Sequence, residues 1–366
     1  FGSRSVLVGR CQPQTKRACV HSFSGLGDAL MAVKEFVLKN FLILGLLTVI
    51  TFGLVCPEPG LAANGIKFGT WGLPQVAVVV IFVMSGACLD SVSDANQPKA
   101  LVLGIVLVLF VTPATAWPIL HFGAGRVDMT LLQGMALFCV VPTTLSSGVT
   151  MVTQAKGNVS LAVFLTTVTN LLGVLTMPWS MSRIFAATVP IKPTDMLGEL
   201  LWLTLVPLVF GMSLREVSGS IRKFVKDNKK VVGLCQNSCI LCVVWLMVSG
   251  AQEKIVGSAP KDLWACLAMA GGVHLVFRVG GYFVATAARL PPREWVTIVL
   301  MCSQKSLPVC VSVISALPQE LRERSGVLIV PCVMAHAAQL IIDSILAVRW
   351  ELQDPAGELK GSLLPK

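Results

Sequence analysis

The sequence is poor in charge. Only 13% of its 366 residues are Asp, Glu, Lys or Arg, against roughly 25% in soluble domains. Its hydrophobic share is 54% and its mean hydropathy +0.77. These values exclude the two or three soluble domains that length alone would allow. Aromatic residues are also few, at 7% with a single tyrosine, and no basic stretch alternates with aromatic rings. The net charge of +10 is therefore no sign of a nucleic-acid surface. The twelve cysteines form no disulfide framework, since most lie inside apolar runs where cysteine acts as a small hydrophobe. Cys235, Cys239 and Cys242 share a helix face, but no histidine or carboxylate joins them at ligand spacing, so no metal site is expected. No nucleophile–base pair stands at usable spacing in the apolar runs either, so no catalytic residue and no enzyme is expected.

One further absence is local. No acidic residue precedes Asp28, while Arg4, Arg10, Lys16 and Arg17 fall among several serines. That composition suits an organelle transit peptide over residues 1–30; a disordered basic tail is the alternative. The chain opens on Phe1 and not methionine, so it is expected to be a fragment whose leader starts upstream.

What the sequence does have is long apolar runs. Ten of them approach the ~20 residues that a helix needs to cross hydrocarbon: Asn40–Cys56, Pro74–Leu89, Ala100–Phe122, Thr130–Gln154, Val159–Ile184, Leu197–Leu214, Val231–Ser249, Leu263–Ala288, Glu294–Leu317 and Val327–Trp350. With this count both termini share one side. The basic residues Arg215, Arg222, Lys223, Lys226, Lys229 and Lys230 gather in a loop on that side, which the positive-inside rule makes cytosol-like. Asp90 and Asp94 close the second run and are expected to be solvated.

The fourth and ninth runs are interrupted. In the fourth, Pro142 removes a backbone donor and is followed by Thr143, Thr144, Ser146, Ser147 and Gly148. In the ninth, Ser303, Gln304, Lys305 and Ser306 precede Pro308. Non-helical backbone at membrane depth survives only against protein or a water-filled cavity. Paired interruptions in matching places of two halves point to a transporter's binding site, in an inverted repeat. The competing reading is a pair of Pro-kinked helices whose hydroxyls bond back to their own carbonyls.

The fold class expected is thus an all-α membrane protein of ten transmembrane helices, a five-plus-five inverted repeat with two broken crossing helices. The transporter domain would cover residues 36–350, as repeats 36–190 and 193–350, and residues 351–366 form a C-terminal tail. The prolines 142 and 308 should lie side by side. Ser146, Ser147, Thr166 and Gln304 should face one polar interior.

Other polar residues fall inside the spans. His336, Gln339 and Asp343 share one face of the last span, as a cavity wall or a proton relay with Lys305; the alternative is an Asp343 that reaches water and a His336 bonded between helices. Asn170 lies one turn beyond Thr166 and joins the polar interior or links helices. His274 and Arg278 are one turn apart, with Arg278 touching substrate or snorkelling. Candidate substrate-binding residues are Pro142, Thr143, Thr144, Ser146, Asn170, Lys305, Ser306, His336 and Gln339. Lys305 is costly at the midplane without a partner. Half-helix C-terminal carbonyls can supply one, so its ammonium is expected to stand in for part of a cation site; pointing along the helix into water is the other reading.

Several of these stretches carry a family resemblance. Lys99-Ala100 leading to Pro113-Ala114-Thr115-Ala116-Trp117, the proline and hydroxyls of 142–147, Gly157-Asn158 and the Gln304 segment resemble the bile acid:sodium symporter family. Pro142-Thr143-Thr144-Leu145-Ser146-Ser147-Gly148-Val149, Ser303-Gln304-Lys305-Ser306-Leu307-Pro308-Val309 and Pro331-Cys332-Val333 with His336, Gln339 and Asp343 resemble its plant plastid branch, the sodium/metabolite cotransporters of the chloroplast envelope. The resemblance implies a panel domain (spans one, two, six and seven) and a core domain of the others. It implies alternating access, with a small organic anion as substrate in the lipid bilayer and sodium as the coupling ion; no cofactor is expected. It places sodium at the crossing, on Ser147, Thr166 and Gln304. The chain departs from the family pattern at Gly148, Ala162, Val108 and Leu300, the last where the family has its glutamate. The function expected is transport of an organic anion, with eroded sodium ligands; the alternative is a membrane regulator that keeps the fold without transport.

Overall fold

The computed structural model describes residues 33–34, 36–38, 40–69, 71–89, 97–144, 146–186 and 190–353. The expectations for the N-terminal tail, for Asp90 and Asp94, and for residues 354–366 fall outside them. The chain divides into two units, Phe1–Leu44 and Gly45–Lys366; apart from residues 41–44, everything below lies in the second.

The helices that build the site and its surroundings are, in order, α1 (Phe41–Val55), α2 (Leu73–Cys88), α3 (Pro98–Gly123), α4 (Met129–Val140), α5 (Ser146–Gln154), α6 (Val159–Ile184), α7 (Pro193–Val217), α8 (Lys229–Gly250), α9 (Pro260–Ala287), α10 (Pro292–Met301), α11 (Leu307–Ser315) and α12 (Ser325–Gln353). Among the described residues the only strands are a two-residue antiparallel pairing, Lys67–Phe68 with Trp71–Gly72. Six helices, α3, α6, α7, α8, α9 and α12, are each long and apolar enough to cross a membrane. The protein is an all-α membrane protein.

The apolar runs form helices because nothing else satisfies their backbone in hydrocarbon. The interruptions follow the prolines. α4 stops at Val140, with Val141 extended and Pro142 unable to continue the turn. α10 stops at Met301, and Ser306 caps the start of α11, its hydroxyl accepting from Val309 N at 3.5 Å. α4, α5, α10 and α11 have 12, 9, 10 and 9 residues. Each is about half of a span.

These half-helices lie at the centre. Every residue of 131–140 and of 294–301 is buried, as are Leu307 and residues 309–315. A helix apolar on all sides must be enclosed by others, and α4 packs on α12 and α9 while α11 packs on α12, α2 and α8. The outer helices expose Phe110, Trp117, Trp202, Trp264 and Phe283, which suits lipid as solvent.

Two close contacts fix the arrangement around the centre. A Cβ at Gly86 would stand 2.0 Å from Leu208 O, and one at Gly211 would stand 2.0 Å from Val83 O. α2 and α7 therefore touch backbone to backbone, the small-residue packing expected where the hydrophobic effect cannot drive helices together. α3 and α7 each contain a π-turn, Leu107–Val111 and Leu201–Leu205. The first of these shapes the site.

Candidate functional site

The two breaks meet. Ser306 N donates to Pro142 O at 3.0 Å, so the non-helical segments of α4–α5 and α10–α11 satisfy each other inside the bundle. The expected neighbourhood of the two interruptions is present.

From this crossing the side chains go three ways. Ser303 and Gln304 turn towards α9 and α12. Gln304 Nε2 donates to Asp343 Oδ2, and Gln304 Oε1 accepts from Ser147 Oγ at 3.3 Å. Asp343 also receives Arg278 Nη2, and its Oδ1 lies 2.7 Å from His274 Nε2. The other ring nitrogen of His274 faces Ser303 O at 3.2 Å. Both of its neighbours are acceptors, and a neutral ring has one donor to share between them. Asp343, His274 and Gln304 are almost wholly buried and Arg278 is 8% exposed. A buried carboxylate of this kind is tolerated because it is paired and hydrogen-bonded.

This cluster alters the reading of position 300. Leu300 carries no charge, yet the crossing does not lack an anionic group, since Asp343 brings one from α12 to Gln304. That carboxylate is already held by Arg278. Gly148, where the chain departs from the family pattern, is closely packed: a Cβ there would lie 3.0 Å from Met301 Sδ, so a side chain would require the Met301 thioether to shift.

Lys305 goes a second way, towards α3 and α4. Its side chain is fully buried. Nζ donates to Thr112 Oγ1 at 2.7 Å, Val141 O at 2.8 Å and Val108 O at 3.3 Å, and lies 5.5 Å from the centroid of the Phe277 ring. Its backbone is clamped by Gln339: Lys305 N donates to Oε1 at 2.9 Å and Nε2 donates to Lys305 O at 2.8 Å. His336 Nδ1 lies 2.8 Å from Gln339 Nε2 and 3.2 Å from Lys305 O. The reading in which Lys305 points along its helix into water is overturned by this burial.

The third direction is a cavity of about 50 Å³, lined by Thr144, Thr166, Thr167, Asn170, Ser306 and Pro308 on one side and by Ser85 and Gln236 on the other. Asn170 Nδ2 donates to Thr143 O at 3.1 Å and Thr166 O at 2.7 Å, leaving its carbonyl for the cavity. Gln236 Nε2 donates to Ser85 Oγ at 2.9 Å. The cavity adjoins the N-terminal ends of α5 and α11, where partial positive charge accumulates.

The polar interior expected as one is thus two. Ser147 and Gln304 belong to the Asp343 cluster, while Thr166, whose hydroxyl donates to Ala162 O at 2.8 Å, faces the cavity. The side chain of Ser146 lies outside the described residues. Of the candidate substrate residues, Thr144, Asn170 and Ser306 line the cavity; Pro142 and Thr143 do not, and their carbonyls accept from Ser306 N and Asn170 Nδ2. Lys305, His336 and Gln339 do not line it; their polar atoms hold the break together. Nor do His336, Asp343 and Lys305 Nζ form one relay. Among the described residues Asp343 pairs with His274, Arg278 and Gln304, and His336 with Gln339 and the backbone carbonyl of Lys305, not with its Nζ. The physical reason is register: residues three and seven along a helix share a face but lie about 4–10 Å apart along its axis, and each meets a different neighbour.

Sequence reasoning missed Ser85, Thr167 and Gln236. Their signal was present but weak: Gln236 is an amide inside an apolar span, as Asn170 is, and Ser85 a hydroxyl in another.

A family model described as the SBF-like CPA transporter family matches residues 40–352. An Arabidopsis thaliana protein named "Probable sodium/metabolite cotransporter BASS4, chloroplastic" is 32% identical over 331 residues, 86% of this chain and 73% of its own. A protein of the same name from Oryza sativa subsp. indica is 32% identical over 349 residues, 90% and 79% of the two chains. The rat protein named "Sodium/bile acid cotransporter 7" is 22% identical over 324 residues, 86% and 94% of the two. With the match running from the first membrane helix through the last and including both halves of the crossing, the chain belongs to the SBF-like CPA transporter family, the bile acid:sodium symporter lineage.

Proposed function

We propose that the chain is a secondary active transporter that moves a small organic anion across the plastid envelope. The observation that carries this reading is the cavity at the crossing. It combines two half-helix N-termini with the hydroxyls and amides of Thr144, Thr166, Asn170, Ser306, Ser85 and Gln236, and contains no carboxylate. Positive helix ends, with the hydroxyls of Thr144 and Ser306 beside them, suit a carboxylate or a similar anion. Its size suits a small solute and not a sterol. The plastid location follows the relatives named chloroplastic, and the acid-free N-terminal composition agrees with it.

Ten spans in two inverted halves, with α1, α2, α7 and α8 as the panel and the rest as the core, give this transporter its two moving parts. The close packing of α2 against both α7 and α8 supports that division. Sodium coupling, suggested by the relatives' names, meets a crossing whose one carboxylate is already paired to Arg278. One observation favours the second reading, a regulator that keeps the fold without transport: Asp343 is already paired with Arg278, and the Lys305 ammonium is already held by carbonyl and hydroxyl oxygens.

The test is uptake of labelled small carboxylates by proteoliposomes, with sodium or choline outside. Uptake above that of empty liposomes, with a KM raised about tenfold in Thr144→Val, is the expected result, since the change removes a cavity-lining hydroxyl and a hydrogen bond to a charged solute is worth about 1.5–3 kcal/mol. Uptake no greater than in empty liposomes across the series would select the regulator.

A further inference from the structure

We infer that the carbonyl pocket at the crossing is a monovalent ammonium-type cation site, occupied by the chain's own Lys305. It holds whether or not the protein transports a solute.

The pocket is built by three local accidents of backbone that converge. The amide that would ordinarily reach Val108 O is that of Thr112, but in the π-turn of α3 it goes to Leu107 O. The next residue is Pro113, which has no N–H. Val108 O is therefore left to side chains, and it accepts from Thr112 Oγ1 at 2.9 Å and from Lys305 Nζ. Val141 O belongs to the extended residue that caps α4 and is left outside the helix ladder where Pro142 ends the helix. Thr112 Oγ1, having donated its own proton to Val108 O, accepts from Nζ.

An ammonium has three protons, and the pocket has three acceptors at 2.7, 2.8 and 3.3 Å. The face of Phe277 covers the charge from a further side. Among the described residues no carboxylate reaches Nζ within ion-pair distance. The cation is stabilised by dipoles alone, so the pocket does not demand Lys305 in particular. It demands a cation with N–H donors. The lysine stem serves as a tether that keeps the site filled in the fully buried interior.

Truncation of the tether should open the site to a free cation. Lys305→Ala removes three methylenes and the nitrogen, and n-propylammonium has three carbons and one ammonium group. The purified full chain is extracted in n-propylammonium chloride, tetramethylammonium chloride or neither, and its apparent melting temperature is followed by tryptophan fluorescence. The expected result is a melting temperature several degrees lower in Lys305→Ala than in the wild type, restored by at least half in n-propylammonium and not in tetramethylammonium, which has the charge but no N–H. The wild type should respond to neither. Lys305→Met supplies an independent arm where the alanine variant does not fold. It keeps the bulk of the stem without the charge, and should melt below the wild type and gain nothing from n-propylammonium. A Lys305→Met protein as stable as the wild type, or n-propylammonium no better than tetramethylammonium in Lys305→Ala, overturns the site. Because the readout is melting and not uptake, either outcome leaves the transport reading to its own experiment.

Discussion

Asp343→Ala is expected to be the most damaging single change in the membrane interior. The carboxylate is shared by Arg278, His274 and Gln304, and removing it leaves a buried guanidinium with no counter-charge. Breaking a buried pair from one side costs about 3–5 kcal/mol, because the remaining charge keeps its desolvation penalty. Asp343→Asn keeps the shape and still removes the charge, so it should fall near the alanine variant. Adding Arg278→Met to Asp343→Asn takes away both charges together and should recover much of the loss. A double-mutant cycle on melting temperature in detergent measures the coupling. Additive losses from the two substitutions would mean that the two residues act separately.

Gly86→Val is expected to prevent assembly of the helices around the centre. The added Cβ would meet Leu208 O and C and Met212 N, at 2.0, 3.0 and 2.9 Å, all of them backbone atoms that no rotamer change can move aside. Relief requires α2 and α7 to separate along their length. Gly211→Val makes the same collision from the opposite side, against Val83 O. Overpacking of a fitted interior usually costs about 1–3 kcal/mol, and a backbone clash lies at or above the upper end. The measurement is the yield of monodisperse protein after detergent extraction. Gly271→Val, at a glycine with nothing within 4 Å of its Cβ, is the matched control and should extract like the wild type.

Much of the fold was legible because membrane helices are written in single-residue terms. An apolar run of sufficient length must be helical in lipid, and Pro142 and Pro308 mark the breaks. The expected fifth run, Val159–Ile184, coincides with α6. The bonded meeting of the breaks followed from their matching places. The site was legible only in part. Thr144, Thr166, Asn170 and Ser306 stood out as polar residues near the breaks, but Gln236 and Ser85 come from α8 and α2, which carry no break to draw attention to them. The pairing of Asp343 with Arg278 spans 65 residues, and no pattern along the chain states it. His336 was the nearer histidine in sequence and His274 the nearer in space. The π-turn in α3 was invisible too, since the run Leu107–Val111 is uniformly apolar and only Pro113 hints that a carbonyl upstream will be freed.

The bond from Ser306 to Pro142 has a mechanical consequence. Pulling the two breaks apart would strand an amide and a carbonyl away from water, at a cost of several kcal/mol. The Lys305 ammonium spans the same gap and resists the same displacement, because it grips the end of α4. The crossing therefore moves as one stiff piece or not at all. In the proposed transport cycle, sliding is expected along the face that α11 presents to α2 and α8, where among the described residues no backbone bond joins them. There the amide of Gln236 is turned away to its own side, onto Ser85. A solute admitted on that face would meet a wall that shifts past it, rather than a gate that splits open.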